Sequence, residues 1–148
     1  MIKNKLYSQL LCVFIYALAF YISFILLPKS VTNIWLKITI WHLYATLFIY
    51  IGSVILKNSS LYDPFWSVAP IPIVIYLTTI SENSLMIKLI ILIPIIFWGL
   101  RLTRNWIISW PGLKHEDFRY VDLKNTNSLK SELNNLFGIH LFPTFIVN

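Results

Sequence analysis

The sequence predicts an all-α protein, a polytopic bundle of transmembrane helices. Of its 148 residues, 57% are hydrophobic and 12% are charged, about half the charged fraction usual in a soluble domain. Its mean hydropathy is +0.71. A domain of this size has too much surface for its volume to bury so much apolar area in water. The composition excludes a soluble cytosolic enzyme, a disordered chain and a nucleic-acid-binding basic domain, and the expected partner is a lipid bilayer.

Four apolar runs predict about four spanning helices. Residues 7–27 carry no charge, and a helix of that length spans a hydrocarbon core of about 30 Å. The second run covers residues 35–56, and the fourth covers 85–110. The third, residues 65–80, is short and lies among three prolines, so we expect a broken or kinked helix there.

A fifth apolar run, residues 136–148, follows a polar stretch that we predict to be a cytoplasmic loop over 111–135. About 12 residues are too few to cross a bilayer as a helix. The run therefore predicts either a truncated spanning helix, with 1–148 as the N-terminal part of a longer membrane domain, or a segment that lies in the interface. We favour the truncated helix. The sequence does not indicate an oligomeric state.

The distribution of basic residues predicts a cytoplasmic N-terminus. In that orientation nine of the 12 basic residues lie inside, and three lie outside, namely Lys29, Lys37 and Lys88. Cytoplasmic loops carry such an excess of Lys and Arg. The same orientation places residues 62–66 and 101–120 at one membrane face, where they could form one site.

Arg101 and Asn105 are the first candidate ligand-binding residues. On a helix Arg101 lies three positions from Arg104 and four from Asn105, so the three side chains share one side. Two guanidinium groups on one face suit a phosphate or a carboxylate. The alternative is that both arginines anchor the helix at anionic headgroups.

Residues 114–120 form a second candidate cluster, which contains Glu116, Asp117, Arg119 and Tyr120. Consecutive positions do not share a helix face, so this stretch would make a poor metal site. Arg119 could form a structural ion pair with Glu116 or Asp117. Alternatively, Arg119 and Tyr120 could contact a ligand while the carboxylates hold them in place.

The third candidate is the stretch around Tyr62 and Asp63. An aspartate followed by proline is typical of a helix start, with the carboxylate as N-cap and Pro64 at the first helical position. That interpretation does not explain why Tyr62, Phe65 and Trp66 cluster there, whereas an interfacial aromatic belt would. His42 in the second run is interpreted as an interfacial histidine.

The stretches YDPFWSVAP (62–70) and RLTRNWIISWPGLKHEDFRY (101–120) resemble an uncharacterised multi-pass membrane family related to steroid 5-alpha-reductases. That family has a D-P-[FYW]-W-S element, followed further along by R-x-x-x-N-W and G-x-x-x-E-D-[WF]-R-Y. The chain keeps nearly every position of these elements. The resemblance covers essentially the whole chain but only part of the family domain, whose members are about twice as long and carry further cofactor residues in their C-terminal half.

The resemblance implies NADPH-dependent reduction of a carbon–carbon double bond in a lipid-like or steroid-like substrate. It implies that NADPH is bound by Arg101, Asn105, Glu116, Asp117 and Arg119. The proton donor would be Tyr62, Asp63 or Tyr120, and the sequence does not decide among the three. No metal is implied.

The alternative function is that of a non-catalytic multi-pass membrane protein. Such a protein would bind lipid or a membrane partner through the same cytoplasmic face. The exposed basic and aromatic residues of that face suit either function.

Overall fold

The computed structural model describes residues 4–147, and within that range the chain is helical with no β-strand. The predicted all-α fold is confirmed. In chain order the elements are α1 (Lys5–Ile25), α2 (Ile34–Leu56), a 3-10 turn (Ser59–Tyr62), α3 (Phe65–Val68), α4 (Pro70–Ile80), α5 (Leu85–Ser109), α6 (Phe118–Lys124), α7 (Ser128–Leu133), a π-helical segment (Asn134–Leu141) and α8 (Phe142–Val147).

Four segments are long and apolar enough to cross a membrane: α1, α2, α5 and the composite segment Ser59–Ile80. The protein is therefore an integral membrane protein. The composite segment contains the 3-10 turn, α3 and α4, which confirms the predicted broken helix. Pro64 and Pro70 lie at its two breaks, because proline has no N–H to donate to the preceding turn.

Local signals at the helix ends explain where the first two spans begin and end. The side chains of Asn4 and Asn33 cap α1 and α2 by accepting from the N–H groups of Leu6 and Leu36. α2 ends at Lys57, whose φ of 54° is left-handed, and its N–H donates to carbonyls of the last turn. This sharp end directs the chain back toward the bundle at Asn58.

Aromatic residues of α1 and the composite segment form the centre of the core. Phe20 of α1 stacks on Phe65 with ring centroids 5.5 Å apart, and Tyr16 meets Phe65 edge-on at 5.6 Å. His42 is also buried here, 5.8 Å from the Phe65 ring. α2 turns this residue toward the other helices, and its interfacial depth stays a prediction.

The composite segment and α5 approach closely at Gly99, the buried residue of α5. A Cβ atom at this position would lie 2.7 Å from the Ser67 carbonyl oxygen and 2.9 Å from a side-chain carbon of Ile71. Only a residue without a side chain allows this backbone contact. It fixes α5 beside the polar break of the third span.

The C-terminal third of the described chain packs against this end of the bundle. Part of the predicted loop 111–135 folds as the short helices α6 and α7. The fifth apolar run begins inside the π-helical segment and packs against α2, with Ile139, His140 and Thr144 buried.

Replacing Gly99 with alanine is expected to lower the free energy of unfolding by about 1–3 kcal/mol, because the added methyl group overpacks a backbone contact. Thermal unfolding in lipid nanodiscs, followed by circular dichroism, measures the effect. Gly138→Ala is the matched control, since no atom lies within 4 Å of a Cβ at that position. Equal stability of the Gly99→Ala variant and the wild type would contradict the close approach.

Candidate functional site

The start of α1 and the end of α5 lie side by side. The Lys5 ammonium donates to the carbonyl of Ile108 at 2.8 Å, and the Gln9 amide donates to that of Ile107 at 2.7 Å. These carbonyls belong to the last turn of α5, where the helix has unpaired acceptors and a partial negative charge. Just beyond them Gly112, with φ of 110°, lies against Ser8.

Asn58 connects the loop after α5 to the start of the composite segment. Its side-chain N–H₂ donates to the carbonyls of Leu113 (2.9 Å) and His115 (3.0 Å), while its oxygen accepts from the N–H of Ser60. The hydroxyl of Ser60 in turn accepts from the N–H of Asp117 at 2.8 Å. The two stretches that the sequence singled out, 62–66 and 101–120, therefore meet at one end of the bundle.

Glu116 is engaged in holding this structure together. Its carboxylate accepts from the backbone N–H of Ser59 at 2.6 Å and from the ammonium group of Lys124. Lys124 also donates to the Ser59 hydroxyl, which donates to the buried amide of Asn135. Glu116 thus joins the 3-10 turn, α6 and the π-helical segment, and it does not line the cavities described below.

Asp63 and Tyr120 form the central pair of the site. The Tyr120 hydroxyl donates to the Asp63 carboxylate in a short hydrogen bond. The interpretation of Asp63 as a helix N-cap is wrong, because Pro64 occupies the position before α3 and Asp63 turns toward Tyr120. Burial, together with the charge of Asp63, raises the pKa of Tyr120, so this hydroxyl keeps its proton at neutral pH.

Asp117 and Arg119 pair with each other beside Tyr120. Two guanidinium nitrogens of Arg119 donate to the two oxygens of Asp117 at 2.8 and 2.7 Å, and Asp117 also caps α6 through the N–H of Arg119. The bonds from Arg119 lower the pKa of Asp117, and the carboxylate raises the pKa of Arg119. Because the Arg119 side chain is 62% exposed, the pair stabilises the fold only weakly.

Tyr62 differs from Tyr120 in its partner, because its hydroxyl bonds to a threonine and not to a carboxylate. Thr144 donates its own proton to the carbonyl of His140, so its hydroxyl oxygen accepts from the hydroxyls of Tyr62 and Thr46, each at 2.8 Å. Tyr62 is 1% exposed. Its proton is engaged in this buried network.

Two adjoining cavities open around Asp63. The larger, here called the Asp63 cavity, has a volume of about 550 Å³. The smaller, here called the indole cavity, has a volume of about 160 Å³ and contains Ser60, Trp110 and His115 in its wall. Both share four residues, namely Asp63, Trp106, Ser109 and Asp117. The Asp63 cavity also has Arg119 and Tyr120 on its polar side and Trp66 and Ile146 on its apolar side.

A third cavity, here called the apolar groove, runs between α1, α5 and the composite segment. It has a volume of about 500 Å³ and is lined mainly by apolar side chains such as Val13, Phe20 and Val68. Trp106 lines this groove as well as both cavities around Asp63. The Trp106 side chain therefore borders both an apolar compartment and two polar ones.

The structure gathers some of the predicted site residues and leaves others apart. Tyr62, Asp63, Asp117, Arg119 and Tyr120 line the Asp63 cavity. Arg101 and Asn105 are exposed on α5 and line neither that cavity nor the indole cavity. Within residues 4–147 no group of three or more His, Cys, Asp or Glu side chains is placed to hold a metal ion.

Sequence reasoning missed the residues that position the site, Asn58 and Ser60. The Asn-Ser-Ser run that follows Lys57 at the end of the second apolar run was the available signal, because such side chains bond to local backbone.

The family described as "Protein of unknown function (DUF1295)" matches residues 47–148. The chain belongs to this family. DUF1295 is a family of membrane proteins, in agreement with the four candidate spans. The match covers Asn58, Asp63, the loop after α5 and the start of α6, and therefore the whole polar side of the Asp63 cavity. No curated protein and no solved structure matches the chain.

Asn58→Ala is expected to lower the free energy of unfolding by about 3 kcal/mol, because three hydrogen bonds are lost and two loop carbonyls lose their donor. Chemical unfolding in detergent micelles measures the change, and protease accessibility of the 113–115 loop should rise in the folded state. Asn83→Ala, in the exposed turn before α5, is the matched control. If both variants were equally stable, Asn58 would not hold the loop.

Proposed function

We propose that this DUF1295 protein is a membrane-embedded reductase that uses NADPH to reduce a carbon–carbon double bond in a lipid-like or steroid-like substrate. The observation that carries the proposal is the Asp63–Tyr120 pair in the wall of a cavity that is polar on one side and apolar on the other. The resemblance of the 62–70 and 101–120 stretches to the relatives of steroid 5-alpha-reductases supports the same reaction.

Tyr120 is the proposed proton donor. Reduction of a double bond requires a hydride and a proton, and NADPH supplies the hydride when it is bound. The donor must be protonated at neutral pH and must reach the reacting carbon. Tyr120 meets the first condition through its raised pKa and lines the Asp63 cavity. Tyr62 is the weaker candidate, because its hydroxyl bonds to Thr144.

The cofactor residues fit one part of NADPH better than the whole molecule. Arg119 is the cation in the wall of the Asp63 cavity, and its guanidinium group suits a phosphate. Asp117, its partner, suits ribose hydroxyl groups or the carboxamide. Arg101 and Asn105 are exposed and do not line this cavity, and Glu116 bonds to Ser59 and Lys124. We therefore assign the contact with NADPH to Arg119 and Asp117 alone.

The orientation proposed for the protein places this end of the bundle in the cytoplasm. The excess of basic residues on that side supports it, and an NADPH-dependent enzyme needs its cofactor site there. The start of α1 lies at this end, beside the last turn of α5, so the N-terminus would be cytoplasmic.

A specific observation also favours the non-catalytic alternative, in which the same face binds lipid. α6 and α7 expose Phe118 at 71% and Leu129 at 74%. Exposed apolar side chains on short helices that also carry Arg119, Lys124 and Lys130 suit a membrane interface. A reductase and a lipid-binding protein differ in whether NADPH binds and reacts, and the next two experiments test this.

Arg119→Ala is expected to weaken NADPH binding by about 10- to 100-fold, because a charge-assisted hydrogen bond to a phosphate is lost. Calorimetric titration of the protein in nanodiscs measures the dissociation constant. Lys130→Ala removes a positive charge from the same face without touching the cavity and is the matched control. Arg101→Ala tests the exposed face of α5, and an equal loss there would contradict the assignment to Arg119. No NADPH binding by the wild type would reject the cofactor.

Tyr120→Phe is expected to lower the rate of reduction by a factor of about 100 or more, the usual contribution of a general acid. The assay uses proteoliposomes with a long-chain enone and NADPH that carries deuterium, and mass spectrometry detects the saturated, labelled product. Tyr62→Phe should lower the rate far less, and Tyr21→Phe, at an exposed position on α1, is the control. Absence of labelled product from the wild-type protein would leave the lipid-binding function.

A further inference from the structure

Two buried indole N–H groups beside Asp63 have no hydrogen-bond acceptor. They belong to Trp106 and Trp110, whose rings stack with centroids 4.8 Å apart and planes 22° apart. Burying an N–H without an acceptor is costly, so native proteins rarely do it, and each case requires an explanation. Two such donors in adjacent, stacked rings indicate a place where an acceptor binds.

Both tryptophans line the indole cavity, which has a volume of about 160 Å³. This is enough space for a small polar group or the end of a larger molecule. The atom that fills it must accept hydrogen bonds, because an indole nitrogen is only a donor. By contrast, the buried Trp41 already donates to the carbonyl of Phe20 at 3.0 Å.

The charges around the indole cavity select a neutral acceptor over an anion. Asp63 and Asp117 both line its wall, and a phosphate or carboxylate placed there would be repelled by them. Arg119 does not line this cavity, and its guanidinium group is paired with Asp117. A carbonyl oxygen satisfies two N–H donors without adding a net charge.

The apolar groove indicates what the carbonyl is attached to. Trp106 forms part of the wall of both the groove and the indole cavity. A molecule whose hydrocarbon part lies in the groove can therefore place a polar end against the indole nitrogens. The groove is lined by spanning helices, so such a molecule would be soluble in lipid.

We infer that Trp106 and Trp110 form a binding site for the neutral carbonyl oxygen of a lipid-soluble molecule whose hydrocarbon part lies in the apolar groove. That this molecule is a substrate rests on the proposed function. Two indole donors at a carbonyl would also stabilise negative charge that develops on its oxygen when a conjugated double bond accepts a hydride. The binding site itself requires no cofactor.

The test is nuclear magnetic resonance of the protein in nanodiscs, labelled with ¹⁵N at its six tryptophans. The probes are a long-chain methyl ketone and the alkene in which a methylene group replaces the carbonyl oxygen. The ketone is expected to shift two of the six indole N–H signals downfield, and the alkene should shift neither. Trp106→Phe and Trp110→Phe assign the two signals, because each variant removes one.

The same variants measure the contribution of each donor. Each is expected to weaken binding of the ketone by about 2- to 10-fold, the effect of one neutral hydrogen bond, while the phenylalanine keeps a stacked ring. Trp98→Phe, on the same helix but outside all three cavities, is the matched control and should bind the ketone as the wild type does. The comparison of ketone with alkene on the wild-type protein does not depend on the stability of any variant.

Three outcomes would overturn the inference: no shift with the ketone, equal shifts with the alkene, or equal shifts at all six signals. The first would leave water as the acceptor in the indole cavity. Shifts with the ketone but no NADPH binding would support the site and reject the reductase. Labelled product without the two shifts would support the reductase and reject the carbonyl site. The two proposals can therefore fail separately.

Discussion

Between Lys57 and Phe65 the chain leaves the α-helix while most of its residues are buried in the protein, so its backbone N–H and C=O groups need partners other than bulk water. The loop after α5 supplies one of these partners, and the segment supplies partners to the loop in return. Glu116 accepts from the N–H of Ser59, and the Asn58 side chain binds two loop carbonyls. These bonds hold the two irregular segments together, and the rest of the site depends on them.

The same constraint produces the polarity of the site. A break in a spanning helix must bring polar side chains into an apolar bundle, and the chain places them on one side of the break. Asp63 and Tyr120 lie on that side, whereas Pro64 and Val68 face the apolar groove. Trp106 suits the boundary because one edge of its ring is apolar and the other carries a donor.

The amino-acid sequence predicts the fold well, because hydropathy and length determine spanning helices almost without tertiary information. It also predicts that the Asp63 and Tyr120 stretches share a face. It does not predict which of two adjacent and chemically similar acidic residues lines the cavity. Asp117 does, whereas Glu116 forms structural bonds. Their roles differ because α6 begins at Phe118 and turns Glu116 toward Ser59 and Lys124. Arg101 and Asn105 share a predicted helix face, but which way that face turns depends on the contact at Gly99.

The two tyrosines show how neighbouring packing determines chemistry. Both Tyr62 and Tyr120 line the Asp63 cavity, and both hydroxyls are bonded. The partner of Tyr62 is a threonine whose own proton is already donated to the His140 carbonyl, so Tyr62 completes a closed structural network. The partner of Tyr120 is a carboxylate at the cavity wall, which can accept a second donor from a ligand or release the tyrosine toward one. For this physical reason we assign the proposed proton transfer to the Asp63–Tyr120 pair.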